Sequence, residues 1–239
     1  TSSVAAQDVG VGWRVRGDVL TILNRQEEAL DSYGRAVDLA AHWLATDHRA
    51  ALEALIARAD SFAYFNYTPE SLVAAEQAVR RVSATRELLR PDVLLTKSER
   101  AYGLALVSAG RGTQALPIMR RVLEDARHLD VADTPRVADA EWGLAVVLPN
   151  QAILEEAIPL MQHVVQHEER LGTNVRTSDS LALLERIAWL GLMYSTAAMP
   201  DEARRTAEST DRLMAQVQSV SEPIRYRNLL TKAYAAAFS

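Results

Sequence analysis

Apolar residues recur every three or four positions along most of the chain, with polar residues between them. Trp13, Gly17 and Leu20 form one such stripe, and Ala29 and Tyr33 begin the next. This spacing follows the helical turn of about 3.6 residues and not the two-residue alternation of a strand. The pattern therefore predicts a series of amphipathic helices.

Residues that favour turns divide these helices into pairs. Asn, Gly and Pro are prominent among them because they tolerate or impose turn geometry. The short turns within pairs fall at Asn24, 66–69, 110–113, 149–150 and 199–201, and the longer breaks between pairs fall at Pro91, Pro135, 172–178 and Pro223. Each unit of the pattern is thus two helices joined by a short loop.

The sequence also repeats itself at intervals of about 42 residues. Residues 16–37 align with residues 58–79 without a gap at a constant offset of 42, and residues 189–207 form a further copy. Periods of about 20–50 residues are typical of solenoids and propellers, and the helical spacing favours a helical solenoid. The repetition indicates an architecture, because a catalytic site needs only one copy of its residues.

The third and fourth copies match less evenly than the first two. Residues 102–119 resemble residues 142–161, but the offset is 40 at Gly103 and 42 at Met119. We place the two added residues in the turn between the helices, where insertions are tolerated. This insertion leaves open the register of the exposed face in the fourth repeat.

Small residues occupy matching positions in both helices of each pair. A glycine in the middle of a helix costs roughly 1 kcal/mol relative to alanine, so its recurrence needs a structural reason. Two helices whose axes approach to about 8 Å leave no room for a side chain at the crossing. We therefore expect close crossings at Gly17, Ala59, Gly103, Ala145 (or Gly143) and Gly191 in the first helices and at Ala29, Ser71, Ala115, Ala157 and Ala203 in the second helices.

The first copy carries the side chains of a known repeat. Their order is aromatic, glycine, large apolar, alanine, aromatic and alanine, at Trp13, Gly17, Leu20, Ala29, Tyr33 and Ala36. This order resembles the tetratricopeptide repeat (TPR), although the 42-residue period exceeds the roughly 34 residues of the standard unit and is similar to the longer repeats of kinesin light chains. The resemblance implies an all-α, right-handed α-solenoid of about five antiparallel helix pairs with a C-terminal capping helix.

We expect the whole chain, residues 1–239, to form one array. The repeats should span about 9–47, 48–91, 92–133, 134–176 and 177–220, followed by a capping helix at about 223–238. A terminal helix in a solenoid covers the apolar side of the last repeat. The residues expected to provide this cover are Leu229, Leu230, Ala233, Tyr234 and Ala237.

Composition narrows the classes of function. The formal net charge is −5 and neither half of the chain is strongly basic, which argues against a nucleic-acid-binding arm. The chain has no cysteine, which excludes disulfides and thiolate metal sites, and no apolar run approaches the ~20 residues that span a membrane. We expect a cytoplasmic protein, processed or excised from a longer one, with no cofactor and with no nucleic-acid or membrane partner. Its oligomeric state is open.

Candidate catalytic or metal-binding residues are few. His163 and His167 share a helical face at a spacing that can hold zinc, but no glutamate lies between them to act as a base, so we expect a solvated face. Carboxylate pairs such as Glu27–Glu28 begin second helices, where the helix dipole favours negative charge. Arginine pairs such as Arg80–Arg81 recur on second helices without the aromatic partners that a nucleic acid would need. We therefore expect neither an enzyme nor a metal site.

Binding is the remaining role, and the predicted array indicates where it occurs. In such superhelices the first helix of each pair lines the concave surface. The side of that helix turned away from its partner should carry the ligand contacts. These positions are Arg14, Asp18 and Thr21 in the first repeat, Glu53, Ile56, Asp60 and Tyr64 in the second, Lys97, Arg100, Leu104 and Ser108 in the third, and Glu185, Leu192 and Ser195 in the fifth.

The mixture of charged and apolar side chains on this face suits an extended peptide or a partner helix. We expect a protein- or peptide-binding scaffold, the sensor or docking segment of a larger bacterial regulatory protein. The alternative is a small-molecule sensor with a compact pocket under Tyr64 and Arg100. TPR proteins that clamp a C-terminal carboxylate use an asparagine where Asp18 and Asp60 stand, so the resemblance does not imply that ligand. Because the charges lie opposite the packing stripe, we expect them to affect partner choice more than stability.

Overall fold

The computed structural model describes residues 3–23, 25–43, 49–65, 67–84, 92–130, 134–171, 177–217, 220 and 222–238. Regular secondary structure within these residues is entirely helical, which confirms the predicted all-α fold class. A short 3₁₀ helix (Leu148–Gln151) follows the seventh α-helix. The α-helices are α1 (Ser3–Ile22), α2 (Gln26–Trp43), α3 (Arg49–Tyr64), α4 (Thr68–Ser83), α5 (Val93–Ser108), α6 (Gly112–Leu129), α7 (Pro135–Val147), α8 (Leu154–Leu171), α9 (Thr177–Thr196), α10 (Pro200–Met214) and α11 (Glu222–Ala237).

The chain divides into two compact units. Unit 1 comprises Thr1–Val131, and unit 2 comprises Ala132–Ser239. In unit 1 the pairs α1–α2, α3–α4 and α5–α6 follow one another, and each pair contacts the next. In unit 2 the pairs α7–α8 and α9–α10 are followed by α11, which packs against both α9 and α10. The succession of helix pairs is as predicted, whereas their union into a single array stays a prediction.

The helices begin where the sequence supplies capping groups. The carboxylate of Asp92 accepts hydrogen bonds from the backbone N–H groups of Leu94 (2.8 Å) and Leu95 (3.0 Å), which are donors that the start of α5 leaves unpaired. Thr134 caps α7 through its side chain, and Pro135 follows in the first turn, where a proline costs no hydrogen bond. Carboxylate pairs lie in the first turns of second helices, at Glu27–Glu28, Glu155–Glu156 and Asp201–Glu202.

The two helices of a pair cross as closely as the small residues predict. A β-carbon added at Gly17 would lie 2.8 Å from the ring of Tyr33, and one added at Gly103 would lie 2.7 Å from the terminal methyl of Met119. The partner helix therefore occupies the space that a side chain would need. The small residues predicted at the crossings of the second helices are all 0% exposed: Ala29, Ser71, Ala115, Ala157 and Ala203.

The fourth repeat follows the third at a constant offset of 42 residues, so the two-residue insertion inferred from the sequence is wrong. The turn residue with positive φ is Gly110 in the third repeat and Ala152 in the fourth. Each of these repeats also has a buried glutamate that pairs with a basic side chain 22 residues later, Glu99 with Arg121 and Glu141 with His163. Gly103 therefore corresponds to Ala145, and its sequence match with Gly143 is misleading.

Helix α11 packs on unit 2 through a different face from the one predicted. Its buried residues are Ile224, Asn228, Thr231 and Ala235. The crossing selects small side chains, because a β-carbon added at Gly191 of α9 would already lie 3.0 Å from the Thr231 methyl. The prediction that these five apolar residues cover the last pair is wrong for four of them: Leu229, Leu230, Ala233 and Ala237 are exposed, and Tyr234 is partly buried.

Candidate functional site

The predicted charges of unit 1 pair with one another on the first helices, which lie side by side because α3 contacts both α1 and α5. Nη1 of Arg14 donates to Oδ2 of Asp18 at 3.1 Å within α1. Nη2 of Arg100 on α5 donates to Oδ2 of Asp60 on α3 at 3.0 Å and so joins two repeats. The Arg100 side chain is only 17% exposed, and water screens such a pair less than one in open solvent. We call these four residues the charge-paired cluster.

The hydroxyl of Tyr33 on α2 joins this cluster. It donates to Oδ1 of Asp18 at 2.8 Å and lies 3.4 Å from the hydroxyl oxygen of Thr21, which itself donates to the carbonyl of Gly17 at 2.9 Å. Burial raises the pKa of Tyr33 well above its usual range; the Thr21 hydrogen bond lowers it, and the negative charge of Asp18 raises it. Tyr33 therefore stays a protonated donor, and it holds Asp18 next to the helix crossing.

Other predicted contacts in unit 1 differ in their exposure. Lys97 and Ser108 at the two ends of α5 are exposed, and Leu104 between them is partly buried. Tyr64 near the end of α3 is 37% exposed, and its ring packs edge-on against Phe65 with centroids 5.1 Å apart. These four predicted side chains remain accessible to a partner.

One residue of the predicted surface does not belong to it. Ile56 is 5% exposed and lies in the core cluster with Leu52 and Leu55, so it cannot contact a ligand. The helical spacing assigned Ile56 to the outer side, but Ile56 belongs to a core cluster that residues of α4 and α5 complete. Glu53, one turn earlier, is partly buried and accepts a hydrogen bond from Nε of Arg49 at 3.0 Å.

The ion pairs change the expected role of these charges. Arg14 and Arg100 were expected to affect partner choice more than stability, because helix faces in solvent tolerate substitution. In the structure, removal of Arg100 would take this ion pair from the partly buried Asp60, and loss of one partner of such a pair is destabilising. The charge-paired cluster therefore contributes to the stability of unit 1 whether or not it contacts a partner.

Unit 2 has a different arrangement on its first helices. The guanidinium of Arg186 on α9 lies over the ring of Trp142 on α7, 4.0 Å from its centroid, and that of Arg227 on α11 lies 4.3 Å from the centroid of Trp189 on α9. Glu185 lies between the two arginines, at 3.4 Å from Arg186 and 4.0 Å from Arg227. We call these five residues the arginine–tryptophan ladder.

Some N–H donors of the ladder have no hydrogen-bond acceptor. Nε of Arg186 and Nε1 of Trp142 are buried and have no hydrogen-bond partner in the part of the chain that the structure describes. Arg227 reaches Glu185 only at 4.0 Å, too far for a hydrogen bond. Burial lowers the pKa of Arg227, but a guanidinium stays protonated in proteins. Arg186, whose side chain is 10% exposed, already donates to Glu185 at 3.4 Å and lies 4.0 Å from Asp139. Arg227 is therefore the arginine of the ladder with donors left for a further acidic partner.

Sequence reasoning found only part of the ladder. Glu185 was predicted, whereas the two tryptophans and the two arginines were not. With the corrected offset of 42, Trp142 occupies the position of Arg100 in the third repeat, and this register would have placed it among the candidates. The other two predicted contacts of unit 2 lie further along α9: Leu192 is partly buried, and Ser195 donates its hydroxyl to the carbonyl of Gly191 at 2.9 Å.

The histidines of α8 do not form the solvated face expected from the sequence. Nδ1 of His163 lies 2.5 Å from Oε2 of the buried Glu141, and His167 is 4% exposed. They therefore belong to the contact between α7 and α8 and its surroundings. Within the described ranges, no group of three or more His, Asp or Glu side chains is placed to hold a metal ion.

The arginines of the second helices pair mainly with acids of their own helices. Arg80 lies 3.6 Å from Glu76 on α4, and Arg204 lies 2.7 Å from Asp201 on α10. Such exposed pairs within one helix are solvated and contribute little to stability. Separately, no helix in the described part of the chain combines the length and the apolar character that crossing a membrane requires.

The fold is shared with known structures although the sequence is not. No protein-family model matches the chain, and no curated protein matches it in sequence. A Rap protein complexed with competence and sporulation factor matches with a TM-score of 0.68 and 18% identity, over 85% of this chain and 53% of the Rap chain. TTC0263, a thermophilic TPR protein of Thermus thermophilus, matches with a TM-score of 0.62 and 16% identity, over 94% of this chain and 99% of that one. The chain has a TPR-like fold.

A third structure bears on the length of the TPR-like repeat. The nearly identical TPR-like repeats of a putative kinesin light chain from Podosopora anserina match with a TM-score of 0.55 and 18% identity, over 90% of this chain and 95% of that one. This match agrees with the resemblance drawn from the 42-residue period. The chain spans about half of the Rap protein, and at these identities the likeness concerns the TPR-like fold alone.

Proposed function

We propose that this TPR-like chain is a scaffold that binds a peptide or a segment of a partner protein, with the arginine–tryptophan ladder as the principal contact. The observation that carries the proposal is the state of Arg227, whose guanidinium is stacked on the Trp189 ring and makes no side-chain hydrogen bond within the described residues. Arg186 is stacked on Trp142 beside it, but it already donates to Glu185 and lies 4.0 Å from Asp139. A guanidinium held in this way is positioned to bind a carboxylate through two parallel hydrogen bonds. The partner therefore carries acidic side chains.

The other groups of the ladder narrow the partner further. Glu185 lies between the arginines and would repel a carboxylate placed at the centre, so acidic side chains bind toward the outer edges of Arg186 and Arg227. Trp142, Trp189 and Leu192 are partly buried and offer apolar contact beside these charges. An extended segment that alternates acidic and apolar side chains fits this surface best.

Unit 1 supplies the remaining predicted contacts. They are a cation at Lys97, a hydroxyl at Ser108, an aromatic edge at Tyr64 and an aliphatic group at Leu104. The charge-paired cluster adds fixed charges, but its groups already bind one another and contribute less to affinity. We therefore propose the ladder of unit 2 as the principal contact and the accessible side chains of unit 1 as a separate, secondary one.

The setting of this activity is also a proposal. One structural neighbour is a Rap protein complexed with competence and sporulation factor, which makes a signalling role a reasonable model for a TPR-like chain. We propose that the chain is the sensor or docking segment of a larger bacterial regulatory protein, acts in the cytoplasm and has no catalytic activity of its own.

Selection of random displayed peptides on the immobilised protein tests the peptide-binding proposal. Selected sequences should be enriched in Asp and Glu next to apolar residues. Fluorescence polarisation of one labelled selected peptide would then compare the wild type with the double variant Arg186→Gln and Arg227→Gln. The double variant should bind at least roughly tenfold more weakly, which corresponds to ~1.4 kcal/mol.

A matched double variant on the second helices serves as the control. Arg80→Gln and Arg120→Gln remove the same charge from exposed positions on α4 and α6, so they should leave the affinity within about twofold. Loss of binding in this control, together with retained binding in the ladder variant, would contradict the proposal. Selected peptides with no acidic enrichment would contradict it as well.

A further inference from the structure

Unit 1 contains a cavity of about 300 Å³ between α3 and α4. This volume is at the lower end of the range of ~300–1,000 Å³ that small-molecule sites occupy. Neither Tyr64 nor Arg100, under which the sequence placed a pocket, lines it. The lining residues are Arg58 and Phe62 of α3 and Pro69, Glu70, Val73, Ala74 and Gln77 of α4.

Most of the cavity wall is apolar. Phe62 forms one side, and its ring is fixed by an edge-on contact with Tyr67 at a centroid distance of 6.1 Å. Val73 on the opposite helix is 65% exposed, a large exposed fraction for a valine beside a cavity. A ligand that covered Val73 would remove this apolar surface from water, which is favourable by about 25 cal/mol for each square ångström.

Arg58 places a positive charge in this apolar wall. Its guanidinium lies 5.4 Å from the centroid of the Phe62 ring, and its Nε is buried with no hydrogen-bond partner. No ion pair or side-chain hydrogen bond of Arg58 occurs within the described residues. Native proteins rarely leave a buried donor unsatisfied, and a guanidinium binds a carboxylate through two N–H groups at once. The cavity therefore suits a ligand that brings an acceptor with a negative charge.

Glu70 limits how much negative charge that ligand can carry. It is exposed, lies in the first turn of α4 and lines the cavity without an ion pair to Arg58 among the described residues. The positive end of the helix dipole accounts for its position. One arginine facing one glutamate leaves no net positive charge for a phosphate or a dicarboxylate, so a single carboxylate is the favoured group.

We propose that this cavity binds a compact aliphatic monocarboxylate, with its carboxylate on Arg58 and its hydrocarbon part between Phe62 and Val73. A free branched-chain acid and the C-terminal residue of a polypeptide share this chemistry. The proposal does not depend on the ladder, because the cavity lies on different helices and in the other unit.

Calorimetric titration with isocaproate and with N-acetyl-leucine tests the proposal and distinguishes the two sources. The wild type should bind at least one of these acids and should bind the matching amides, isocaproamide and N-acetyl-leucinamide, at least roughly tenfold more weakly. Tighter binding of isocaproate identifies a free small acid, whereas tighter binding of N-acetyl-leucine identifies the end of a polypeptide. Both results support the carboxylate site. Equal affinity for acid and amide, or no saturable binding of either acid, would overturn it.

Three variants locate the binding. Arg58→Gln keeps much of the side-chain stem but loses the charge, and it should weaken acid binding roughly tenfold. Val73→Trp fills the cavity from an exposed position and should abolish binding without disturbing the core, which keeps the test open if Arg58→Gln unfolds. Glu70→Gln should tighten binding, because it removes a repulsive charge.

Arg80→Gln is the matched control for Arg58→Gln. Arg80 lies on α4 but does not line the cavity, and its side chain is 74% exposed. Its replacement should leave the affinity for the acid unchanged. Full acid binding by Arg58→Gln and Val73→Trp would overturn the assignment of the site.

Discussion

Units 1 and 2 both carry arginines and acidic residues on their first helices, but they satisfy them differently. In unit 1, Arg100 meets Asp60 at 3.0 Å in a direct hydrogen-bonded ion pair. In unit 2, Arg227 reaches Glu185 only at 4.0 Å and lies on the ring of Trp189 instead. The same residue types thus hydrogen-bond to one another in unit 1, whereas in unit 2 Arg227 keeps N–H groups that have no hydrogen-bond partner among the described residues.

The difference shows why exposure and charge alone do not identify a binding surface. A side chain whose hydrogen bonds are already made within the protein must break them to bind a partner, and little net free energy is gained. A guanidinium stacked on an indole ring is fixed in position and still has donors to offer. The comparison therefore favours a structural role for the charges of unit 1 and supports the proposal that the arginines of unit 2 bind a partner.

The largest expected effect comes from the helix crossing of unit 1. Gly17→Leu should lower the free energy of unfolding by about 2–3 kcal/mol, because the rigid ring of Tyr33 already occupies the space. Gly191→Leu in unit 2 should also destabilise the protein, because an added β-carbon would lie 3.0 Å from the buried Thr231 and 3.2 Å from Thr206. Denaturant unfolding followed by circular dichroism measures both.

Gly34→Leu is the control for the crossing, since no atom would lie within 4 Å of its added β-carbon. It should be neutral or stabilise the protein by a few tenths of a kcal/mol through helix propensity. A stabilising effect of Gly17→Leu would show that α1 and α2 do not cross closely there.

A smaller effect is expected from the charge-paired cluster. Arg100→Ala should destabilise the protein by about 1–2 kcal/mol, because Asp60 keeps its charge in a partly buried position. The control Arg80→Ala breaks an exposed pair with Glu76 and should cost less than about 0.5 kcal/mol. Thermal unfolding of the two variants compares them directly, and equal melting temperatures would show that the Arg100–Asp60 pair adds no more stability than an exposed pair.

The stability of unit 1 should depend on pH in the alkaline range through the ionisation of Tyr33. Because burial raises the pKa of Tyr33 in the folded state, the unfolded chain loses this proton first as the pH rises, and ionisation favours unfolding. The wild type should lose about 1 kcal/mol more stability between pH 9 and pH 11 than Tyr33→Phe does. Urea titrations at the two pH values measure this difference, and parallel losses would place the hydroxyl in water.

The sequence predicted the helix pairs and their crossings because these depend on local spacing and side-chain size. It predicted the faces of unit 1 in the same way, but helical spacing could not show that Ile56 lies in the core cluster of α3, α4 and α5. The predicted register of the fourth repeat was wrong because Trp142–Gly143 resembles Tyr102–Gly103 in sequence. The buried Glu141, which pairs with His163, shows the correct register.

The ladder was missed for a different reason. Arg186 and Trp142 are 44 residues apart, and Arg227 and Trp189 are 38 residues apart. Contacts between residues this far apart in the chain depend on how one repeat aligns with the next. The sequence pattern suggested an offset of 40 there, whereas the structure has 42. The orientation of α11 was wrong because hydrophobicity favours burying its large residues, whereas the tight contact at Gly191 admits only small ones.

Replacement of Arg227 should have the smallest effect on stability and the largest effect on peptide binding. Arg227→Gln should lower the free energy of unfolding by about 1 kcal/mol or less, because it loses the cation–π contact with Trp189 but no close ion pair among the described residues. Arg100→Gln should do the reverse: it should lower stability and leave affinity for a selected peptide nearly unchanged.

Calorimetric titration of one selected acidic peptide into the wild type, Arg227→Gln and Arg100→Gln tests the central claim most directly. It should be carried out at a temperature where all three proteins are folded. We predict at least roughly tenfold weaker binding for Arg227→Gln and a change of less than about twofold for Arg100→Gln. Unchanged affinity for Arg227→Gln, with the loss appearing in Arg100→Gln, would contradict the assignment of binding to unit 2.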